Sequence, residues 1–110
     1  METKKIYGVN DIVPFEPTHP GEVLKEELHI RGISQKKFAE TIGMSYTALN
    51  EILNSKRSIS IETAMKIEAA LGIEAQLWIG LQSDYNYHMA RKDSGLMACI
   101  QQIRKMAAEL

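Results

Sequence analysis

The sequence of 110 residues has one cysteine, three prolines and no long hydrophobic run. Cys99 alone cannot form an internal disulfide, which agrees with a reducing compartment, and we interpret it as a small core residue on an apolar helical stripe. No segment approaches the roughly 20 apolar residues that a membrane-spanning helix requires. The N-terminal METKKIYGVND has neither the apolar segment nor the cleavage site of a secretory signal. We therefore expect a cytoplasmic protein without a membrane partner.

The sequence also lacks the patterns that catalysis or metal binding would require. His19, His29 and His88 lie in different segments, and none has the i,i+4 or HExxH spacing of a zinc site. There is no glycine-rich phosphate loop, no G-x-S-x-G turn and no clustered pair of acids. We interpret His19 as a helix-start residue and the other two histidines as surface groups. We expect no enzymatic activity, no metal and no cofactor.

The net charge is only −1, but the charges are unevenly distributed. Residues 33–60 carry four basic and two acidic residues, whereas residues 1–32 and 61–80 each have a net charge of −2. A local excess of this size suits a nucleic-acid-binding face, and it suits an ordinary solvated surface equally well. The charge distribution therefore marks a segment to examine but does not assign a partner.

Helical periodicity dominates the sequence after Pro20, and β-branched alternation is nearly absent, so we predict an all-α fold. Serine residues precede several helical segments and glycine residues follow them, as expected of N-caps and helix ends. The predicted helices run from Pro20 to Gly32, from Ser34 to Gly43, from Ser45 to Asn54, from Ser60 to Gly72, and onward from about Glu74.

These boundaries divide the chain into three parts. Residues 1–17 contain several helix breakers and are predicted to form an extended N-terminal arm, with a short strand from Ile12 to Phe15. Residues 18–92 are predicted to form a five-helix domain, and residues 93–110 an additional C-terminal helix. Its apolar stripe could fold back on the core or pair with another chain, because two heptad repeats are too few to establish a coiled coil. The stripe consists of Leu96, Ile100, Ile103, Ala107 and Leu110.

Two short helices joined by a turn are predicted in QKKFAETIGMSYTALNEILN, residues 35–54. A steep crossing requires a small residue where the helices approach, a residue that tolerates positive φ in the turn, and apolar residues between the helices. Ala39 meets the first requirement and Gly43 the second. The apolar residues are Phe38, Ile42, Leu49 and Ile52. Their coincidence in one short window favours a helix-turn-helix motif.

The second helix of this motif has one apolar and one polar face. At 100° per residue, Leu49, Ile52 and Leu53 share a buried direction. Side chains on the opposite face can bond base edges, as Asn does bidentately with adenine, or meet a thymine methyl group, as Thr and Tyr do. Any one of them alone is more simply explained as solvated surface. Taken as a set, the residues predicted to contact bases are Tyr46, Thr47, Asn50 and Glu51.

Donors to the phosphate backbone are expected at the edges of the same surface. Gln35 and Lys36 begin the first helix of the motif, Ser45 caps the second, and Lys56 and Arg57 follow it. Backbone N–H groups at a helix start and basic side chains are typical phosphate contacts. A polar helix face followed by a Lys-Arg pair is often only solvated, but the whole set on a helix-turn-helix motif favours DNA binding.

Residues 33–73 resemble the helix-turn-helix domain of lambda-type repressors and of the XRE (Cro/CI) regulators. The flanking segments THPGEVLKEEL and NSKRSISIETAMKIEAALGIEAQLWIGLQSDY resemble, more narrowly, the HigA antitoxins of toxin–antitoxin modules. In that subgroup HPGE opens the domain, an N-G-[RK]-R-x-I-[ST] segment follows the recognition helix, and an L-W-x-x-L-Q-x-x-Y helix comes later. Ser55 stands where the pattern usually has glycine. The resemblance spans roughly residues 18–92 and implies a lambda repressor-like fold.

The resemblance also implies a function. HigA-like proteins bind a palindromic operator as homodimers, repress their own operon, and neutralise a small basic ribonuclease toxin of the RelE or HigB type by direct binding. Trp78, Leu81 and Tyr85 are our candidates for dimer packing, although Trp78 is equally well explained as a core residue of the monomer. Acidic side chains of the first helix could meet the toxin. A stand-alone XRE-type repressor without a toxin partner is the alternative.

Overall fold

The computed structural model describes residues 17–110, which form six α-helices and no strand. The expectation of an all-α fold is therefore confirmed for this part of the chain. Most of the predicted arm, and the strand predicted from Ile12 to Phe15, lie outside the described residues. The helices are α1 (Pro20–Ile30), α2 (Gln35–Ile42), α3 (Tyr46–Leu53), α4 (Ile61–Leu71), α5 (Ala75–Arg91) and α6 (Ser94–Ala107).

The helix boundaries follow the local signals of the sequence. The hydroxyl oxygens of Ser34, Ser45 and Ser60 accept backbone N–H groups of the first turns of α2, α3 and α4, each at 3.1 Å. Serine satisfies in this way donors that have no partner within the helix. Gly43 and Gly72 end α2 and α4 in the left-handed conformation. These three helix starts and two helix ends are as predicted.

The start of α1 explains the His-Pro-Gly sequence. The Nδ1 atom of His19 accepts the N–H of Gly21 at 2.8 Å, and the buried imidazole packs edge to face on Tyr85. Burial lowers the pKa of His19 below its usual value of 6.5, against the opposing charge of Glu22. A Cβ at Gly21 would lie 1.7 Å from the carbonyl oxygen of Ile52. Only glycine lets the start of α1 approach the end of α3 so closely.

The core lies between the first five helices. Its largest fully buried side chains include Phe38, Leu49, Ile52 and Trp78. Since Trp78 is 0% exposed, it has no surface to offer a second chain, and its prediction as a dimer contact is wrong. The alternative interpretation, a core residue of the monomer, is correct. Helix α5 packs mainly on α4 and also on α1.

Helix α6 lies outside this core. None of its residues is buried, and within the described residues it packs on α5. Leu96, Ile103 and Leu110 of the apolar stripe are exposed, so the described part of the chain does not show the stripe folded back on the core. Cys99 is exposed as well, which corrects its interpretation as a small core residue. The amphipathic pattern predicted the helix but not what its apolar face contacts.

Candidate nucleic-acid interface

The helix-turn-helix geometry is built by the residues that the sequence predicted. Ala39 and Phe38 are buried between α2 and the rest of the domain. Gly43 has φ +69°, and the N–H of Met44 reaches back to the carbonyl of Ala39 at 2.9 Å. This pairing closes α2 and directs the chain into α3. Ser45 then caps α3 two residues after the glycine, which keeps the turn short.

One face of helix α3 is buried in the core, and the opposite face is accessible to solvent. Leu49, Ile52 and Leu53 are all at most 5% exposed, as the helical wheel predicted. On the other faces, Tyr46 and Thr47 are exposed, and Asn50 and Glu51 are half-buried. The four predicted base-contacting residues therefore lie outside the core, with the two at the start of the helix most accessible.

Asn50 is bonded to the residue one turn later. The Nδ2 atom of Asn54 donates to the Asn50 carbonyl at 2.8 Å and to its side-chain Oδ1 at 3.2 Å. Bidentate reading of adenine requires Oδ1 as acceptor and Nδ2 as donor. An amide oxygen has two lone pairs, so Oδ1 can accept from both Asn54 and a base. Asn54 thereby restrains the orientation of the Asn50 amide.

Glu51 and Arg57 form an ion pair that the sequence analysis did not predict. The Nη2 and Nε atoms of Arg57 lie 2.7 and 2.9 Å from Oε1 of Glu51. The pair joins a residue of α3 to the turn after it at a separation of six residues, which no helical spacing would indicate. Both side chains are more than one third exposed, so the pair contributes at most about 1 kcal/mol. The predicted base contact and the predicted phosphate contact are thus joined in the unbound protein.

The turn after α3 has a defined geometry. The N–H groups of Ser55 and Lys56 donate to the carbonyls of Ile52 and Glu51 at 3.0 and 2.8 Å, which is the Schellman pattern. Ser55 takes the left-handed conformation this pattern needs, with φ +63°. Lys56 and Arg57 follow directly, and both are exposed.

The start of α2 carries a second group of candidate phosphate contacts. Lys36 is exposed, whereas Gln35 is half-buried, and its Nε2 donor is buried without a hydrogen-bond partner among the described residues. A donor in that state costs about 1–3 kcal/mol unless an acceptor arrives. The Ser45 hydroxyl accepts the N–H of Ala48 and keeps its own proton available as a donor.

Other classes of site have little support in the described part of the chain. Residues 17–110 contain no group of three or more His, Cys, Asp or Glu side chains that could hold a metal ion. Within the same range, no helix is both long and apolar enough to cross a membrane.

A helix-turn-helix family model, HTH_3, matches residues 24–78, which is half of the chain. The chain belongs to this family of XRE-type DNA-binding helix-turn-helix proteins. Among curated proteins it is similar to virulence-associated protein I of Dichelobacter nodosus, with 37% identity over 76 residues, covering 68% of this chain and 70% of the relative.

Two solved structures that are similar to this chain are those of HigA-type antitoxins. An addiction module antidote protein of the HigA family from Coxiella burnetii is 34% identical, with a TM-score of 0.70, covering 83% of this chain and 95% of that one. The Pseudomonas aeruginosa antitoxin HigA, solved with the higBA promoter, is 32% identical with a TM-score of 0.70, over 74% of this chain and 90% of that one. The resemblance to HigA-type antitoxins and the lambda repressor-like fold are confirmed.

Proposed function

We propose that this protein is a cytoplasmic HigA-like antitoxin that represses its own operon as a homodimer on a palindromic operator and neutralises a cognate RelE/HigB-like ribonuclease toxin by direct binding. The observation that carries the proposal is the polar, accessible side of α3 followed by an exposed Lys-Arg pair, on a helix-turn-helix framework. The similarity to the Pseudomonas aeruginosa antitoxin HigA, which was solved with the higBA promoter, supports the DNA-binding part of the proposal.

The proposed DNA contacts divide into two kinds. Tyr46, Thr47 and Asn50 read base edges in the major groove, where hydrogen bonds and methyl contacts distinguish the base pairs. The phosphate contacts come from both edges of the motif, and they set the register of α3 without reading sequence. Those residues are Gln35, Lys36, Ser45, Lys56 and Arg57.

Glu51 has two functions in this proposal. It accepts a hydrogen bond from a cytosine amino group where the operator offers one, and it orients Arg57 before DNA arrives. A guanidinium has five N–H donors, so Arg57 can keep its bond to Glu51 while its other donors reach a phosphate oxygen. The ion pair therefore reduces the repulsion that an isolated carboxylate would exert on the phosphate backbone.

Two-fold pairing of the chain would place two copies of α3 about 34 Å apart, one turn of DNA. Leu81 and Tyr85 of α5 are half-buried and stay our candidates for dimer packing. The toxin is proposed to be basic, and the exposed Glu22 and Glu26 of α1 lie on a surface with which it could pair.

The DNA-binding proposal is tested with a palindromic fragment of the protein's own promoter, at two or more salt concentrations. We expect affinity to fall steeply with salt, because phosphate neutralisation releases counterions. Asn50→Ala should relax base preference, and Lys56→Ala should weaken all sequences alike. Lys66→Ala, on the exposed side of α4, is the matched control and should change neither. No salt dependence and no sequence preference would contradict the proposal.

The antitoxin proposal is tested by co-expression with the neighbouring small basic protein. We expect the two to co-purify and the toxin's ribonuclease activity to disappear in the complex. If no such protein is encoded beside this one and none co-purifies, the stand-alone XRE-type repressor becomes the better description. DNA binding would survive that outcome, so the two parts of the proposal are tested separately.

A further inference from the structure

Gln82 is a buried polar residue of α5, 6% exposed, and lies far along the chain from the helix-turn-helix motif. Its Oε1 accepts the backbone N–H of Ile59 at 2.8 Å, and its Nε2 donates to Oδ1 of Asn86 at 3.0 Å. The N–H of Ile59 can only donate, so Oε1 is the end of the Gln82 amide that meets it, and Asn86 accepts from the donor end. Gln82 thus connects the scaffold helix α5 to the turn that follows α3.

The turn of residues 55–60 is held at both ends. At its start the Schellman hydrogen bonds tie it to α3. At its end the side chain of Ile59 is buried in the core, at 4% exposure, and its N–H is bonded to Gln82. Lys56 and Arg57 lie between these two anchors with exposed side chains. The position of their backbone therefore depends on an acceptor supplied by α5.

We propose that Gln82 is a positioning residue for DNA binding, which holds the turn carrying Lys56 and Arg57 at the phosphate backbone beside α3. This inference rests on the proposed phosphate contacts of those two residues. A buried N–H without an acceptor is costly, so loss of Oε1 would draw Ile59 toward water and displace the turn. Helix α3 itself is held by its own buried leucine and isoleucine side chains, so base reading would change less than phosphate contact.

Three full-length variants test the inference. Gln82→Met keeps a side chain of similar length but removes the acceptor, and Gln82→Glu keeps an acceptor oxygen. Asn86→Ala removes the other partner of Gln82 and leaves the bond to Ile59 possible. Each is titrated with the palindromic promoter fragment over a range of salt concentrations, with fluorescence anisotropy as the readout. Hydrogen exchange of the Ile59 amide is measured in parallel.

For Gln82→Met we expect weaker binding and a shallower salt dependence. Each phosphate contact contributes about 0.9 to the slope of log K against log salt. Loss of both phosphate contacts of a protomer would therefore lower this slope by about 1.8. If the two contacts contribute nothing to affinity at 1 M salt, their loss weakens half-site binding by up to about 30-fold at about 0.15 M salt. The order of preference among operator variants should be unchanged, and the Ile59 amide should exchange faster. Gln82→Glu should restore most of the slope, and Asn86→Ala should behave nearly as the wild type.

Ile67→Val in the core of α4 is the control for stability, because it lowers stability without removing a hydrogen bond of the turn. An equal loss of slope in Ile67→Val and Gln82→Met would overturn the inference, since general destabilisation would then explain both. A wild-type slope in Gln82→Met, alongside a reduced slope in Lys56→Ala, would refute positioning and leave the phosphate contact intact. A wild-type slope in Lys56→Ala would refute the contact itself and, with it, the inference.

Discussion

Ser55 takes a backbone conformation that, within residues 17–110, is otherwise adopted by glycine. Its φ of +63° is close to the +69° of Gly43 and the +77° of Gly72, which end α2 and α4. For a residue with a Cβ, the left-handed conformation costs roughly 1–2 kcal/mol. Glycine avoids that cost but makes the unfolded chain more flexible, which opposes folding by about 0.4–1 kcal/mol. We therefore expect Ser55→Gly to raise the free energy of unfolding by about 0.5–1 kcal/mol.

The reciprocal substitution is Gly43→Ser. A Cβ added at Gly43 would have no heavy atom within 4 Å, so its cost is conformational and not steric. We expect Gly43→Ser to lower the free energy of unfolding by about the amount that Ser55→Gly raises it. Urea unfolding followed by the fluorescence of Trp78 measures both, at one fixed protein concentration because dimerisation would shift the midpoint. A change of 1 kcal/mol corresponds to roughly 4–8 °C in Tm for a domain of this size.

The midpoint should change while the m-value stays constant, because neither substitution alters the surface buried on folding. If Ser55→Gly is no more stable than the wild type while Gly43→Ser is clearly less stable, the serine side chain stabilises the turn by an amount equal to its strain. If both variants match the wild type, left-handed strain at helix ends contributes nothing measurable here and the reasoning is refuted.

Three further predictions concern the packing of α1 and α5. Gly21→Ala should destabilise the domain by at least about 3 kcal/mol, because the added Cβ would collide with the Ile52 carbonyl and force α1 away from α3. Thermal unfolding measures this change, and a loss of stability below about 1 kcal/mol would contradict the close approach. The cap at His19 requires a neutral imidazole, and because the pKa of His19 is lowered, the stability that the cap contributes is complete above about pH 6.5 and is lost as pH falls through the folded-state pKa. His19→Asn retains a capping oxygen that does not titrate, so it should make the free energy of unfolding less dependent on pH in that range. An unchanged pH dependence would refute this. The indole Nε1 of Trp78 is buried without a hydrogen-bond partner among residues 17–110, so Trp78→Phe removes no hydrogen bond. Its loss of stability should therefore be smaller than the roughly 3–5 kcal/mol that is typical of truncating a core tryptophan to alanine. An equal loss of stability in Trp78→Phe and Trp78→Ala would contradict this prediction.

Local signals predicted the helices because they act within a few residues. Ser34, Ser45 and Ser60 cap the helices they precede, since each hydroxyl needs only the next turn of backbone as its partner. The buried face of α3 followed from the 100° rotation between residues and the placement of Leu49 and Ile52. The helix-turn-helix motif was predictable for the same reason, because its turn and the apolar residues between its two helices lie within twenty residues of one another.

Contacts between distant segments were not predictable in this way. The bond from Ile59 to Gln82 joins residues 23 apart, and nothing in the local pattern of α5 distinguishes Gln82 from a surface glutamine. The pairing of Glu51 with Arg57 depends on the reversal of the chain at Ser55. The subgroup pattern contains a tryptophan and a glutamine at the positions of Trp78 and Gln82, but it does not indicate that both side chains are buried.

By itself, the sequence determined the helices, their caps, the helix-turn-helix motif and the polar side of α3, because capping and amphipathic periodicity are local properties of the chain. Only the tertiary structure decided that Trp78 belongs to the core, that Gly21 lies against the Ile52 carbonyl, and that Gln82 holds the turn after α3. Those outcomes depend on how α1 and α5 pack against α3, which brings together side chains and backbone groups far apart in sequence.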